Sequence, residues 1–500
     1  MSRQKLYLLL YCIAFSLQVF AQNEKVYPSW IKQDYNYIYF QDSSHLKNTC
    51  RLLGNKEKSL TVLHIGDSHL QNENLPNQSR KLLQAIQGDA GIGLIVPFST
   101  VKSYDARFYK STHTGTWKYS KSYMGKFDYP MGVRGMTSYT SDSNATFKIS
   151  FSQSVSSANN ELVVFRHDND SVFEMEFYID DQRASIKFRD KEKVIYNVVG
   201  GFSVLSFKAV KTQAYQKDIT ITGMTLQDSL HRGCIWHNAG VGAAPYKMVL
   251  SEELYESQAK FINPDVVIID LGTNDFLYYN RLEPELRQQI IKVIEKVKNA
   301  NPTADIILTD SQEMKYKGKR TTVANLFSGM IYDLSKQYNT GFWSYYTVSG
   351  GKNAWRFWDA AKYTQGDGIH LNGVGSELKG ALLFHAIENS VTLIKSNHIV
   401  SKPFEIISDS LVSYEIDSLI ADSSTTANIN VVHETEKTVV KQNKLTKNQK
   451  KESASTFYVV KKNDTLGGIA LKTKVPIAKI RKLNKLKSDL IKPGQKLKLK

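Results

Sequence analysis

Ser68 and His370 are the residues of this sequence whose types and surroundings best suit nucleophilic chemistry. Ser68 stands in Gly-Asp-Ser-His at residues 66–69, directly after a short apolar run, and His370 closes Asp-Gly-Ile-His at 367–370. A serine hydroxyl is a weak nucleophile at neutral pH and needs a base. Histidine has a suitable pKa, and the carboxylate of Asp367, three residues earlier, can orient it. Taken singly, each motif also fits an ordinary loop.

Two further segments carry groups that can stabilise negative charge on an oxygen. Residues 272–275 read Gly-Thr-Asn-Asp at the end of an apolar run. Asn274 in that segment can direct an amide N–H toward a developing oxyanion. Residues 238–243 read Asn-Ala-Gly-Val-Gly-Ala, a small-residue turn whose backbone N–H groups can do the same. Each segment singly also fits a plain turn at the end of a strand.

The sequence around these residues predicts an open α/β sheet that would position them. Residues 59–66 and 265–272 are short apolar, β-branched runs, which are typical of buried parallel strands. Residues 284–300 have apolar side chains at helical spacing behind an initial proline, and 305–310 returns to a strand pattern. Strand, helix and strand with short connections indicate a right-handed βαβ unit. Open α/β sheets hold their sites at the carboxyl ends of such strands.

The order of the four motifs resembles that of the SGNH (GDSL-like) hydrolase superfamily. The resemblance covers roughly residues 60–68 and 234–386. It implies a flavodoxin-like three-layer α/β/α fold and hydrolysis of acyl esters without a metal or cofactor. It also implies roles for three residues: Ser68 as the nucleophile, His370 as general base and acid, and Asp367 as the group that orients the histidine.

The resemblance further implies an oxyanion hole made by the Asn274 side chain and by the backbone N–H groups of Ser68 and the glycine turn. The register of that turn is not set by its own sequence. We favour Gly242 as the donor and take Gly240 as the second candidate.

Three histidines lie near the motifs without forming a metal-binding pattern. His69 stands where the superfamily usually has leucine, a variant also met among its members. His64 falls within the predicted first strand, and the spacing of His64, His69 and His237 fits no set of zinc ligands. We therefore predict that all three pack around the site and that no metal is bound.

Residues 104–230 have a different hydrophobic pattern from the rest of the chain. Short alternating runs are separated by turn residues, with almost no helical period, which predicts a β-sandwich. The hydrolase domain would then comprise residues 22–103 and 231–400, with the sandwich inserted between them. Some peptidoglycan O-acetylesterases of the superfamily carry a β-sandwich between their first and second motifs, the place that this segment occupies.

The amino terminus predicts export. Arg3 and Lys5 precede an apolar run over residues 6–20, and the pattern indicates a signal peptide, residues 1–21, cleaved after Ala21. An uncleaved anchor is the alternative, but the run is short for a membrane span. No later stretch is long and apolar enough to span a bilayer, so we expect a secreted protein of the periplasm or cell envelope with no transmembrane anchor after cleavage.

Two cysteines remain after the predicted signal peptide. Cys50 and Cys234 can pair in an oxidising compartment, but two separate buried thiols would look the same in the sequence. The sequence leaves this choice open.

Charge is concentrated at the carboxyl terminus. The chain has a formal net charge of +17, and residues 456–500 hold thirteen Lys and Arg residues against two Asp residues, a net charge of +11. On an exported chain this favours anionic wall polymers or membrane surfaces over nucleic acid as partners; a solvated lysine-rich face is the alternative. The preceding segment, 401–455, is rich in Ser, Thr, Asp, Lys and Asn and is predicted to be a linker.

The last segment, 456–500, predicts a strand, two short helices and a closing strand behind a Pro-Gly turn. This order resembles a LysM domain, a βααβ fold that binds glycans containing N-acetylglucosamine. The resemblance places the glycan groove between two loops, which contain the following residues: Asn463, Asp464, Thr465, Leu466, Asp489, Leu490 and Ile491.

Together these features predict a secreted serine esterase that removes O-acetyl groups from peptidoglycan through a Ser68 acetyl-enzyme. The expected partner is peptidoglycan or another glycan containing N-acetylglucosamine, and no nucleic acid. The alternatives are an esterase acting on another acylated polysaccharide, an acetyltransferase to a glycan acceptor, and a non-catalytic wall-binding scaffold. The sequence does not determine the acyl group, the sugar position, the role of the insert or the oligomeric state.

Overall fold

The computed structural model divides into two compact units, Met1–Thr426 and Ala427–Lys500. The predicted signal peptide, 1–21, and the predicted linker, 401–455, lie outside the residues that the structure describes. These described residues are 27–40, 46–55, 59–167, 171–396, 457–460, 469, 473, 475, 477–484, 486, 492 and 494–499.

The strands fall into parallel, antiparallel and hairpin sheets. In chain order they are β1 (Leu60–Gly66), β2 (Gly93–Ile95), β3 (Tyr109–Thr114), β4 (Lys118–Lys121), β5 (Met136–Thr140), β6 (Thr146–Phe151), β7 (Glu161–Arg166), β8 (Glu174–Ile179), β9 (Gln182–Arg183), β10 (Ser185–Arg189), β11 (Lys193–Asn197), β12 (Val204–Val210), β13 (Ile219–Gln227), β14 (Cys234–Gly240), β15 (Val266–Asp270), β16 (Asp305–Thr309), β17 (Lys315–Tyr316), β18 (Lys319–Arg320), β19 (Gly341–Trp343), β20 (Phe457–Val459) and β21 (Lys496–Lys498).

The helices mostly follow the strands of the parallel sheet. In chain order the α-helices are α1 (Lys47–Leu52), α2 (Ser68–Gln71), α3 (Asn74–Gln87), α4 (Lys247–Leu250), α5 (Tyr255–Ile262), α6 (Thr273–Phe276), α7 (Leu286–Ala300), α8 (Ala324–Tyr338), α9 (Tyr345–Val348), α10 (Ala354–Ala360), α11 (Gly373–Lys395) and α12 (Ile477–Asn484), and short 3₁₀ turns occur at Gln33–Tyr35 and Ser122–Met124.

The centre of the first unit is a five-stranded parallel sheet in the order β14-β1-β15-β16-β19. Numbered by chain position within this sheet, the order is 2-1-3-4-5, the flavodoxin-like arrangement. The predicted fold class is therefore confirmed. In such a sheet, ligands bind at the carboxyl ends of the strands, beside the point where the strand order reverses. Here that point lies between β1 and β15.

Helices cover both faces of the parallel sheet, and alternation along the strands produces this layering. In β15, Val266 and Ile268 pack with α3 and α11 on one face. Val267 and Ile269 pack with α7 and α8 on the other face. Successive side chains of a strand point to opposite faces, so a strand that is apolar throughout is buried on both sides.

The segment between β1 and β14 forms a β-sandwich. One antiparallel sheet has the order β10-β11-β7-β13-β5-β4, with β2 also paired to β13, and the other has the order β3-β6-β12-β8-β9. Phe177 of the second sheet contacts Tyr196 of the first, with ring centroids 5.0 Å apart. The first strand of the sandwich, β2, lies before residue 104, where the sequence predicted the insert to begin.

The sandwich and the hydrolase fold share one continuous hydrophobic core. A single cluster of buried side chains includes Phe207 of the sandwich and Ile290 of α7. Phe165 of the sandwich packs edge-on against Phe261 of α5, with centroids 5.4 Å apart. The Val133 N–H donates to the Gln258 side chain across the same boundary, at 3.0 Å. The insert is thus packed as part of the first unit.

The two cysteines among the described residues, Cys50 and Cys234, are free thiols. Cys234 is buried in β14 and Cys50 is half-buried in α1. Among the residues that the structure describes, no helix combines the length and the apolar character needed to cross a membrane.

The second unit contains an antiparallel pair of strands, β20 and β21, and the helix α12. Asn484 at the end of α12 holds β21 through both polar groups of its amide: its Nδ2 donates to the Lys498 carbonyl and its Oδ1 accepts from the Lys498 N–H. A small buried cluster fills the space between helix and strands: Val460, Ile469, Ile480, Leu497 and Leu499.

Candidate active site

Strand register brings the candidate residues to one edge of the parallel sheet. Gly66, the last residue of β1, lies opposite Gly240 of β14 and opposite Asp270 of β15. Because all three strands run in parallel, the segments that follow them emerge side by side. These segments carry Ser68, Gly242 and Asn274.

Gly66 allows the chain to turn tightly before Ser68. A Cβ atom at this position would lie 2.8 Å from the Asp270 carbonyl oxygen and 2.8 Å from the Leu70 side chain. The Asp67 side chain then caps the short helix α2 by accepting from the His69 N–H. Ser68 is thereby held at the first position of a helix, half-buried, at the carboxyl end of the central strand.

Ser68, His370 and Asp367 form a continuous hydrogen-bonded chain. Ser68 Oγ lies 2.9 Å from His370 Nε2, and His370 Nδ1 lies 2.6 Å from Asp367 Oδ2. The carboxylate requires a donor, so the neutral imidazole carries its proton on Nδ1 and leaves Nε2 free to accept from the serine. The three residues that the sequence singled out thus have the geometry of a serine–histidine–aspartate triad.

The Asp367 loop keeps its carboxyl group ionised. Partial burial raises the pKa of Asp367, but the His370 side chain and the N–H groups of His370 and Ile369 outweigh it and hold the pKa below its usual value. The Ile369 and His370 N–H groups donate to Asp367 Oδ1 at 2.8 and 2.9 Å. The second oxygen, Oδ2, thus remains available to the imidazole.

A second aspartate–histidine pair lies directly beside this one. Asp67 Oδ1 lies 2.9 Å from His69 Nδ1, and His69 Nε2 lies 3.2 Å from the Ile369 carbonyl oxygen. Burial lowers the pKa of His69, but the charge and hydrogen bond of Asp67 reverse this and raise it above its usual value. His69 thus connects the loop that contains Ser68 with the loop that contains Asp367 and His370. The sequence placed His69 near the site but did not predict this connection.

Asn274 lies at the mouth of the site on α6. Its Nδ2 donates to the Ala244 carbonyl oxygen at 3.2 Å and lies 3.5 Å from Asp67 Oδ2. Gly272, before this helix, has φ +121°, and a Cβ atom there would lie 2.1 Å from the Phe327 ring. Glycine therefore permits both the turn and the close packing that place the Asn274 side chain near Ser68.

Gly242 and Gly240 occupy different environments. Gly242 lines the cavity that contains Ser68, and its N–H donates to the Gln71 side chain. Gln71 is itself held by a 2.8 Å hydrogen bond from its Nε2 to Ser103. Gly240 is buried within β14 and its N–H donates to the Asn238 side chain. Of the two candidate glycines, Gly242 is therefore the one that faces the cavity.

A residue of the β-sandwich contacts the end of β14, just before the glycine turn. Arg134, in the loop before β5, is completely buried and donates through Nη1 to the Gly240 carbonyl oxygen at 2.6 Å. Glu73 is buried beside it, and Glu73 Oε1 lies 3.6 Å from Arg134 Nη2. Burial raises the pKa of Glu73, and the positive charge of Arg134 opposes that rise. A residue of the β-sandwich thus contacts the strand that leads into the glycine turn.

The cavity at the edge of the sheet has a volume of about 460 Å³. Besides the predicted site residues, it exposes polar and aromatic groups that no motif indicated. Its lining consists of Ser68, Asn72, Asn74, Tyr104, Gly242, Ala243, Asn274, Leu277, Tyr278, Tyr316, Gln365, Ile369 and His370. Tyr316 belongs to the hairpin β17–β18, which lies outside the four motifs in the sequence. In the sequence, only the neighbouring lysines distinguish this segment.

The sequence also predicted a LysM groove. The residues predicted for it all lie outside the described residues: Asn463, Asp464, Thr465, Leu466, Asp489, Leu490 and Ile491.

Within the described part of the chain, no group of three or more His, Cys, Asp or Glu side chains is arranged to hold a metal ion. His64 instead lies 3.7 Å from Asp270, and His237 is buried in β14.

The sheet order, together with a serine–histidine–aspartate chain at its carboxyl edge, defines an SGNH hydrolase fold. Residues 220–378 match the GDSL-like Lipase/Acylhydrolase family, and residues 458–500 match the LysM domain. The chain therefore carries a GDSL-like lipase/acylhydrolase domain and a C-terminal LysM domain. The first match contains Gly242, Asn274 and His370, whereas Ser68 lies before it.

One of the similar solved structures shares the fold of the first unit, and two others match it over a smaller part. A peptidoglycan O-acetylesterase is similar with a TM-score of 0.58 and 19% sequence identity, over 71% of this chain and 98% of that protein. A psychrotrophic esterase EstA from Pseudoalteromonas sp. matches with a TM-score of 0.26 and 16% identity, over 31% of this chain and 78% of that protein. A putative GDSL-like lipase from Parabacteroides merdae matches with a TM-score of 0.27 and 21% identity, over 31% and 73% of the two chains. No curated protein sequence matches this chain at a significant level.

Proposed function

We propose that this protein is a secreted serine esterase that removes O-acetyl groups from peptidoglycan and is held on its substrate by the LysM domain. The observation that carries the enzymatic part is the hydrogen-bonded chain Ser68–His370–Asp367, with distances of 2.9 and 2.6 Å. These are the distances that general-base activation of a serine requires.

Acylation would begin with attack by Ser68 Oγ on the acetyl carbonyl carbon while His370 Nε2 takes the serine proton. Asp367 stabilises the imidazolium that forms and keeps the ring in place. The oxyanion would receive hydrogen bonds from Asn274 Nδ2, from the Ser68 N–H and from Gly242, whose N–H must first release the Gln71 side chain. One such donor contributes about 3–4 kcal/mol to catalysis in a serine hydrolase.

Collapse of the tetrahedral intermediate would transfer the proton from His370 to the departing sugar oxygen. The sugar hydroxyl leaves and an acetyl-Ser68 ester remains. His370 would then take a proton from water, the resulting hydroxide attacks the acetyl carbonyl, and the second intermediate releases acetate. Return of the proton to Ser68 Oγ restores the enzyme, so the net reaction consumes one water molecule for each ester cleaved.

Three features support peptidoglycan as the substrate. The LysM domain at residues 458–500 belongs to a domain type that binds glycans containing N-acetylglucosamine. The amino-terminal residues have the pattern of an export signal. The solved peptidoglycan O-acetylesterase matches this chain over 98% of its own length, which includes more than the hydrolase core. These features favour the wall polymer over an unrelated acylated polysaccharide.

The test is acetate release from O-acetylated peptidoglycan by the mature chain and by Ser68→Ala. We expect the substitution to lower kcat by at least about 10³-fold, since loss of a triad nucleophile removes the covalent route. Ser157→Ala provides a matched control, because Ser157 is an exposed serine of the sandwich. Ser157→Ala should release acetate with the same kcat as the unchanged chain.

Two other outcomes would redirect the proposal. Ser68-dependent cleavage of p-nitrophenyl acetate without acetate release from peptidoglycan would keep the esterase and reject the substrate. Absence of both activities, with binding to peptidoglycan retained, would favour a wall-binding scaffold.

A further inference from the structure

A small hairpin, β17–β18, projects beside the catalytic cavity. Its strands pair Lys315 with Arg320 and Tyr316 with Lys319, so its loop consists of Lys317 and Gly318. Both loop residues have positive φ, +49° and +78°. This is the backbone of a type I′ turn, whose twist matches that of the paired strands. The hairpin therefore has a defined geometry in spite of its length.

The pairing separates the side chains of the hairpin into two faces, because residues directly opposite in an antiparallel pair share a face. Tyr316 lines the cavity that contains Ser68. Lys319, its cross-strand partner, is exposed and lies on the same face. The ammonium of Lys319 is therefore presented beside an aromatic ring at the cavity.

The opposite face anchors the hairpin. Lys315 Nζ lies 4.5 Å from the centre of the Trp355 ring. Arg320 Nη1 donates to the Asn353 side chain at 2.6 Å, and Arg320 Nε lies 3.4 Å from the Glu313 carboxylate. These two cations have structural partners, whereas Lys319 on the cavity side has none among the residues that the structure describes.

The hairpin is also joined to the catalytic loop. The Lys315 N–H donates to the Gly368 carbonyl oxygen at 2.8 Å, within the segment Asp367–His370. Tyr316 additionally packs edge-on against Tyr278, with centroids 5.5 Å apart, and both tyrosines line the cavity. A ligand whose ester lies at Ser68 would thus extend across the tyrosines toward Lys319.

The charge of this surface is strongly positive. Residues 313–320 and 352–356 contain six Lys or Arg side chains and a single carboxylate, that of Glu313. Glu313 is buried and is already paired with Arg320. Burial raises the pKa of Glu313, while the charges of Lys352 and Arg356 are among those that oppose the rise. An excess of cations beside a cavity attracts anionic ligands and raises their rate of association.

We propose that the hairpin is a binding subsite for an anionic O-acetylated glycan, in which Tyr316 lies against a sugar ring and Lys319 pairs with a carboxylate of the same polymer. This inference rests on the proposed esterase function and specifies its substrate as a carboxylate-bearing glycan. Peptidoglycan meets the requirement, because its peptide substituents carry carboxylates, whereas an acetylated xylan without acidic substituents does not. An aromatic ring next to a cation suits a ligand with both an apolar sugar face and an anionic group.

The experiment compares the full chain with Lys319→Glu, Lys319→Arg and Lys292→Glu. Lys292 is an exposed lysine of α7 and provides the same change of net charge away from the hairpin. The measured quantity is the ratio of kcat/KM on O-acetylated peptidoglycan to kcat/KM on neutral acetylated xylan. We expect Lys319→Glu to lower this ratio by about five-fold or more, since the substitution replaces an exposed ion pair with repulsion. The effect should shrink at high salt.

Lys319→Arg should stay within about two-fold of the unchanged chain, because it retains the positive charge. A ratio that falls equally in Lys319→Glu and Lys292→Glu would overturn the subsite while leaving the esterase proposal intact. A fall of similar size in Lys319→Arg would also overturn it, since charge would not be the cause. Failure of the unchanged chain to release acetate from peptidoglycan would instead reject the proposed function, and the subsite with it.

Discussion

Asp275, the residue after Asn274, has a half-buried carboxyl group next to the candidate oxyanion site. Burial raises the pKa of Asp275 from 3.8 to about 8, although the Tyr246 N–H donates to it. At neutral pH the folded protein therefore holds this carboxyl protonated, while the unfolded chain releases the proton. Because the folded state then binds more protons, stability falls as pH rises from about 4 to about 8.

Asp275→Asn removes this dependence, since the amide resembles the protonated acid and its oxygen can still accept from Tyr246. We expect the free energy of unfolding of the variant, relative to the unchanged chain, to rise by more than about 1 kcal/mol between pH 5 and pH 8. Urea denaturation at both pH values measures the change. Asp128→Asn, an exposed carboxyl of the sandwich, is the control. A difference that does not vary with pH would show that Asp275 ionises normally in the folded protein.

His69 illustrates how one residue can connect two loops that are far apart in the sequence. His69 stands where this motif usually has leucine. One nitrogen of its ring contacts Asp67, and the other contacts the Ile369 carbonyl oxygen. Its ring centroid lies 5.5 Å from that of His370. Burial opposes ionisation of Asp67 but the charge of His69 outweighs it, so the pKa of Asp67 lies below its usual value. Each residue of the pair therefore favours the ionised form of the other beside Ser68.

At the scale of elements, Gly368 is the point where the hairpin meets the catalytic loop. It has φ +79°, and an added Cβ would lie 2.3 Å from the Lys315 carbonyl oxygen. We expect Gly368→Ala to push the hairpin away from the Asp367–His370 segment. The predicted result is a destabilisation of about 1–3 kcal/mol and a lower kcat, because strain and misplacement act together.

Gly366→Ala is a matched control for the backbone effect. Gly366 also has a positive φ, +82°, but nothing lies within 4 Å of the position of its missing Cβ. Thermal unfolding and kcat on p-nitrophenyl acetate measure both variants. Equal losses in the two variants would mean that backbone strain alone is responsible and that the contact with Lys315 has no role in catalysis.

At the scale of the molecule, the insert is part of the hydrolase core while the carboxyl-terminal unit has a core of its own. Phe207 of the sandwich packs face to face with Phe147, with centroids 4.7 Å apart, inside the cluster that reaches α7 and α8. Ile480 belongs to the separate cluster of the second unit. We therefore expect two thermal unfolding transitions in calorimetry.

Phe207→Ala should lower the free energy of unfolding of the first unit by about 3–5 kcal/mol, because it leaves a cavity. The unfolding transition of that unit should move to a lower temperature. Esterase activity should be lost over the same temperature range. Ile480→Ala should affect the other transition alone. A sandwich that unfolds well below the temperature at which esterase activity disappears would contradict a shared core.

Local pattern was sufficient to predict much of this architecture. The apolar runs before Gly66 and over 265–272 predicted buried parallel strands. Helices cover both faces of the sheet, so the side chains on either face of these strands can be apolar. The amphipathic spacing of 284–300 predicted a helix, which the structure places at Leu286–Ala300. The motif order predicted Ser68, Asp367 and His370 as partners, because each residue type has a distinct role in activating a hydroxyl.

Only the tertiary structure decided features that depend on contacts between distant segments. Strand register decides that Gly242 faces the cavity and that Gly240 lies inside the sheet, although both have small-residue neighbours. The support from Arg134 and the position of Tyr316 result from packing between elements far apart in the chain. A sequence records which side chains are available. It does not record which of them meet, because that depends on how each strand and hairpin is aligned with its neighbours in the folded core.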